Sequence, residues 1–183
     1  MKLLMHICCA PCAVYPVKTV LQRGIDLHGL WFNPNIHPFT EYDKRLDSLK
    51  KLGNLWNLKI EYIDYYGLIE FLRNVSGNET NRCEYCYKVR LEKTAIKAKE
   101  MNFDAFTSTL LVSPFQKFDM LINLGKLFES KYDIEFISED FRSGFKKGRT
   151  LSKEMGLYQQ KYCGCIYSEL VRYNKNILNI LPI

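Results

Sequence analysis

Seven cysteines occur in this chain, and all of them fall in three short clusters: Cys8, Cys9 and Cys12 in CCAPC, Cys83 and Cys86 in RCEYC, and Cys163 and Cys165 in YCGC. One buried cysteine is easily a packing residue, because a free thiol behaves as a small hydrophobe. Packing cysteines do not group this way. A lone C-x-x-C is shared by redox dithiols and zinc sites, but C-C-x-x-C, C-x-x-C and C-x-C together point to a metal centre. The residues leave the metal open. A structural zinc takes four ligands in a closed tetrahedron, and a [4Fe–4S] cluster also takes four; either leaves three thiols over. Spare thiols beside a metal are an oxidation liability, so the surplus argues for a redox or catalytic role. Cys83 and Cys86 also stand near the start of the helical pattern CEYCYKVRLEKTAIKAKEM, where a helix N-terminus favours the thiolate.

Cations accompany the thiols. On that helix, Arg90, Lys93 and Lys97 share a face with Cys83 and Cys86, forming a basic stripe that could carry a polyanion. In RSGFKKGR, Arg142, Lys146, Lys147 and Arg149 crowd what reads as a glycine-punctuated loop, with Phe141 just before it and Phe145 among them. Such a loop follows phosphates with its cations and offers rings to bases. His37 lies in NPNIHP, where proton donation, substrate contact, metal ligation and turn stabilisation all remain open. His6 reads as a buried, hydrogen-bonded strand residue. Neither G-x-x-x-x-G-K-[ST] nor G-x-G-x-x-G occurs, so neither phosphate-binding fingerprint is present.

The elements that must hold these residues alternate. Residues 2–9 form a continuous apolar run suited to a buried parallel strand. Further strands are expected at 25–33, 58–64, 103–109 and 134–138. Helices are expected at 13–23, ending at Gly24, at 40–57 behind a Thr40–Asp43 capping box, at 67–73, 83–101, 114–130, 151–158 and 165–178. This alternation implies a parallel α/β sheet with flanking helices. Sites in such sheets lie outside the carboxyl ends of the strands. That rim would collect the Cys8–Cys12 turn, Asn33 to His37 with Asn35 between, Ser113, and the segment from Asp140 to Arg149.

With 183 residues, 47% of them hydrophobic and 25% charged, the chain fits one domain over 1–183 with a sizeable core. No segment reaches the ~20 apolar residues needed to span a membrane, and the first apolar run is too short for a secretion signal. The expectation is a cytoplasmic protein, where clustered cysteines bind metal or react more often than they form disulfides. A formal charge of +6 is a modest excess and does not by itself imply nucleic acid.

Taken in order, HICCAPC, NPNIHP, RCEYCYKVRLE, TSTLLVSP, DFRSGF and LYQQKYCGCIYS resemble the QueH-type epoxyqueuosine reductases from about residue 3 to 169. The resemblance implies a sheet like that of adenine-nucleotide α-hydrolase and PP-loop proteins. The SGGxDS motif is missing, so ATP is not implied, nor is cobalamin. It implies reduction of the epoxide of epoxyqueuosine, at the wobble position of tRNA, to the cyclopentene of queuosine. The cofactors implied are a [4Fe–4S] cluster and an additional mononuclear iron, fed by an external electron donor. All seven cysteines would then be metal ligands, with Cys83, Cys86 and two others on the cluster and cysteines of CCAPC and CGC on the second iron. His37 or Asp140 would complete the iron shell or donate a proton, Asn33, Asn35 and Ser113 would contact substrate, and the basic residues would hold the anticodon stem-loop. Rival readings are a zinc-stabilised RNA-binding module, a cluster-dependent tRNA sulfurtransferase, and a dithiol oxidoreductase working through Cys83 and Cys86.

Overall fold

The computed structural model describes residues 1–174 and residue 176. Its frame is a five-stranded sheet in the order β3-β2-β1-β4-β5. β1 (Lys2–His6) is central, and it pairs in parallel with β2 (Asp26–Trp31) and β4 (Ala105–Ser108), setting Leu3 against Leu27 and Ala105. The edges are β3 (Ile60–Tyr62) and β5 (Glu135–Phe136), also parallel and shorter than the apolar runs that contain them. Leu3 to His6 are all buried, so side chains on both faces of β1 are covered. This is why the run shows no polar alternation.

Helix α1 (Ala10–Gln22) returns the chain from β1 to β2 and stops before Gly24. That glycine sits at φ 72° and closes the end with its N–H on Leu21 O at 3.0 Å. Helix α2 (Phe39–Trp56) starts one residue before the expected capping box, behind Pro38 and with no side-chain cap. Then come α3 (Leu68–Val75), α4 (Arg82–Glu100) and α5 (Phe118–Tyr132). α5 begins later than expected: Thr109–Val112 forms a 3-10 turn, in which Ser108 Oγ accepts the Leu110 N–H at 3.1 Å, and residues 113–117 follow it without helix.

RSGFKKGR is not a loop. It is a short 3-10 turn leading into α6 (Phe145–Glu154), which also replaces the helix expected at 151–158. Its glycines are a contact surface: a Cβ on Gly144 would stand 2.1 Å from the Tyr15 ring, and one on Gly148 3.1 Å from Tyr15 Cβ. They let α6 lie directly on α1. The last helix is α7 (Ile166–Tyr173); its expected extension to 178 falls largely outside the described residues. Among the described residues no helix is long and apolar enough to cross a membrane.

The strand order places β2 and β3 on one side of β1 and β4 and β5 on the other. Such a reversal opens a crevice at the carboxyl ends of the two strands where it occurs. Here those strands are β1 and β4, and the first cysteines follow β1.

Candidate metal centre

Cys9 is the N-cap of α1, with Cys8 before it and Cys12 in the first turn. The three sulfurs are buried and lie within 4.8 Å of one another. Thr109, just past β4, clamps the turn: its Oγ1 accepts the Cys8 N–H at 3.0 Å and donates to Cys8 Sγ at 3.3 Å. From the far side, Gln160 Nε2 donates to Cys9 Sγ at 3.0 Å and reaches Cys12 Sγ at 3.5 Å. Cys12 and Cys9 give their protons toward Cys8 and, against burial, hold it well below the ordinary thiol range. Cys12 is raised chiefly by that donation and Cys9 chiefly by burial. Three sulfurs this close in a dry site can all be thiolates only around a compensating charge. They therefore form a ready site for a metal ion. Above them opens a cavity of about 240 Å³.

A second cavity, of about 200 Å³, is lined by Cys83, Cys86, Cys163 and Cys165. Water would need only ~10–15 Å³ of such space. Cys163, Phe115 and Gln116 line both cavities, so the two share a wall. Cys83 and Cys86 lie in the first turns of α4, Cys165 is the N-cap of α7, and Cys163 stands in the turn just before it. With Cys9 at α1, three helix N-termini direct partial positive charge at sulfur. Burial pushes the Cys86 thiol up to about 12, the Arg90 guanidinium opposes this, and the sulfurs of Cys163, Cys165 and Cys83 add to it.

Arg90 is the decisive neighbour. It is 3% exposed, and among the described residues it has no carboxylate partner. Its Nη2 donates to Cys86 Sγ, its Nε to Cys86 O at 3.2 Å and its Nη1 to Asn33 Oδ1 at 3.4 Å. Burial lowers its pKa, yet Cys86, Cys163 and Cys8 more than offset that and hold it protonated. A buried guanidinium needs an anion or a full set of acceptors, and here its acceptors are the Cys86 sulfur, the Cys86 carbonyl and the Asn33 amide oxygen. Asn35 Nδ2 also donates to Cys86 Sγ at 2.7 Å, and Gln116 Nε2 to Cys163 Sγ at 3.3 Å. Four cysteine sulfurs line one cavity, with amide and guanidinium donors on those of Cys86 and Cys163, so this too could hold a metal centre.

The CGC turn is held from the interior. Arg45, 1% exposed, pairs with Glu41 at 2.7 Å and donates to the carbonyls of Cys163 at 2.7 Å and Tyr162 at 3.0 Å. His37 donates its N–H to Gly164 O at 2.8 Å, and its Nδ1 accepts the Ile166 N–H at 3.3 Å. Gly164 has φ 153°, and a Cβ there would meet Arg45 Nη1 at 3.2 Å and Ile36 at 3.3 Å.

The family model for epoxyqueuosine reductase QueH matches residues 3–170. The chain belongs to that family. Relatives named epoxyqueuosine reductase QueH include one from Dehalococcoides mccartyi, 36% identical over 95% of this chain and 96% of its own, and one from Thermotoga maritima, 36% identical over 94% and 93%. Another, from Streptococcus pyogenes, is 33% identical over 91% of this chain and 70% of its own. The members are named as reductases, and the enzyme class of this chain is oxidoreductase. A solved structure described as a predicted subunit of a tRNA methyltransferase from Methanocaldococcus jannaschii covers 100% of this chain and 87% of its own, with a TM-score of 0.55 at 17% identity. It shows a shared α/β fold.

Against this QueH-family site, several sequence expectations need correction. Arg90 is not part of an exposed stripe, because it is turned inward onto Cys86. Lys93 lies over the Phe32 ring and Lys97 pairs with Glu100, with Lys97 about 21 Å along the helix from Cys83. Neither lies at the cavities. Asp140 is exposed, lines neither cavity and is held below the usual carboxylate range by hydrogen bonds from Arg142, so it is a poor proton donor. His37 is enclosed between Tyr66 and Phe71, and burial lowers its pKa to about 4. It braces the CGC turn and lines neither cavity.

Asn33 binds Ile7 O at 2.9 Å and accepts from His6 Nε2 at 3.2 Å, well inside the fold. Asn35 and Ser113 do line the cavities. Arg149 reaches the first cavity, Lys146 and Lys147 are exposed elsewhere on α6, and Arg142 lies over the Phe118 ring. Sequence reasoning missed Thr109, Gln116, Gln160 and Arg45. Thr109 lay within TSTLLVSP and Gln160 beside the CGC motif in LYQQKYCGC, while nothing in the sequence pointed to Gln116 or Arg45.

Proposed function

We propose that this chain reduces epoxyqueuosine in tRNA to queuosine, consuming two electrons and two protons and releasing the epoxide oxygen as water. The observation that carries the reading is the pair of adjoining cavities, one ringed by Cys83, Cys86, Cys163 and Cys165 and the other floored by Cys8, Cys9 and Cys12. We assign a [4Fe–4S] cluster to the first and an additional iron to the second. Grouping both CGC cysteines with the cluster departs from the sequence expectation, because both line the cavity of Cys83 and Cys86. A cluster held there would supply electrons one at a time, and an iron beside it would supply Lewis acidity.

The chain's own residues prepare the site. Arg90, Asn35 and Gln116 neutralise sulfur charge around the cluster cavity, Gln160 and Thr109 do so around the trio, and Arg45 with His37 fixes the CGC turn that separates the two. The partners are the anticodon stem-loop of tRNA and an external electron donor, in the cytoplasm, with neither ATP nor cobalamin required.

The test begins with protein purified without oxygen. About five irons and four sulfides per chain are expected, together with loss of the epoxide oxygen from tRNA nucleosides by mass spectrometry under strong reductant. Cys12→Ser should keep the cluster absorbance and lose one iron, and Cys165→Ser should lose the cluster. Loss of the cluster from Cys12→Ser with one iron left would reverse the assignment. A colourless protein with one zinc and no iron after reconstitution would favour the RNA-binding module instead.

A further inference from the structure

Phe115 is 79% exposed, more than any other large hydrophobic side chain among the described residues. It stands on the wall shared by the two cavities. Its position is defined: the backbone N–H bonds Ser113 Oγ at 3.3 Å, and its ring meets that of Phe145 edge to face at 5.8 Å and 80°. Arg149, whose guanidinium lies 5.9 Å from the Phe145 ring centre, lines the same opening together with Lys161 and Arg172. None of these three cations has a carboxylate partner among the described residues. Apart from that edge contact with Phe145, the ring is left bare amid unpaired cations at the mouth of the cysteine-lined cavities.

We propose that Phe115 is a stacking platform for a nucleobase of the RNA loop that presents the substrate, with Arg149, Lys161 and Arg172 on the adjoining phosphates. The assignment rests on the tRNA reading above. A modified nucleoside can reach buried sulfur-bound metal only if it is splayed out of its loop, which unstacks its neighbours. A ring at the mouth restores the lost stacking to one of them, and any base has the flat face to use it. The cations match the backbone charge that must lie alongside.

The experiment uses metal-loaded protein and a fluorescein-labelled anticodon stem-loop carrying guanosine at the wobble position, followed by anisotropy across a salt series. Phe115→Ala and Phe115→Leu should weaken binding by about 5- to 140-fold with the salt slope unchanged, while Phe115→Trp retains affinity. Arg149→Gln, Lys161→Gln and Arg172→Gln should each flatten the log–log salt slope by about 0.7. Since Phe115 is exposed, the melting temperature of each variant should match the parent. Parent binding with Phe115→Leu unaffected would overturn the platform and leave the tRNA reading standing. Failure of the parent protein to bind any stem-loop would overturn both. Unchanged RNA affinity with slower reduction of the metal centre by its donor would overturn the platform and assign the ring to the donor protein.

Discussion

Arg90 shows how one residue type can be read correctly and placed wrongly. Helical spacing puts it on the face of Cys83 and Cys86, which is where it lies, but on a helix packed over a sheet that face turns inward at its first turns. Periodicity gives the face and not the depth. Its chemistry then changes from phosphate contact to counter-ion for sulfur. Arg90→Gln should lose iron on anaerobic gel filtration, and the metal it keeps should have a more negative midpoint potential by EPR-monitored titration, because reduction adds negative charge that the guanidinium stabilises. Arg90→Lys should shift the potential less, yet hold metal less well than the parent, since an ammonium lacks the fork that reaches sulfur, carbonyl and amide together. An unchanged potential in Arg90→Gln would remove the electrostatic role. The cysteines were legible as a set because seven thiols in three clusters have no packing explanation. Their division between cavities was not, since chain position does not reveal which turns adjoin.

At the scale of elements, the central strand and α4 were the most legible, as one is uniformly apolar and the other long and periodic. α6 was read as a loop because its glycines look like punctuation, whereas Gly144 and Gly148 are the places where Tyr15 of α1 fits. Gly144→Ala should therefore destabilise by ~1–3 kcal/mol through overpacking, a drop of about 2–12 °C in melting temperature at this size, with Arg149 displaced from the cavity mouth. Differential scanning calorimetry checks this, and a melting temperature equal to the parent would show that the helices part without strain. Gly164→Ala makes a different prediction. The added methyl meets Arg45 and Ile36 in a backbone conformation that favours glycine, so the expected loss is in cluster content, measured by sulfide per chain, more than in global stability.

For the molecule as a whole, the α/β class and the parallel sheet followed from alternation of strand and helix patterns. The pairing of the CGC turn with the interior did not, because Arg45 and Glu41 carry no motif and NPNIHP does not say which turn His37 meets. These long-range ties couple metal to stability. A metal that binds the folded chain alone, at a hundred times its dissociation constant, adds about 2.7 kcal/mol, which corresponds to roughly 5–11 °C in melting temperature. Chelator-stripped protein should melt lower by that order, and amide exchange should quicken first across residues 158–166. Uniform quickening over the sheet would mean that the centre is not a local keystone.

The tie between Tyr162 Oη and His37 O joins residues 125 positions apart, and that between Gln160 and Cys9 spans 151. On the ribosome, β1 and its three thiols emerge long before the turn that closes over them. Until translation passes Cys165, the nascent chain exposes a half-built thiol pocket to whatever metal the cell offers. A metal ion can be enclosed only once the turn carrying Cys163 and Cys165 has been made, so the fold couples metal loading to formation of that turn, and chains that stall before it keep the first three thiols open.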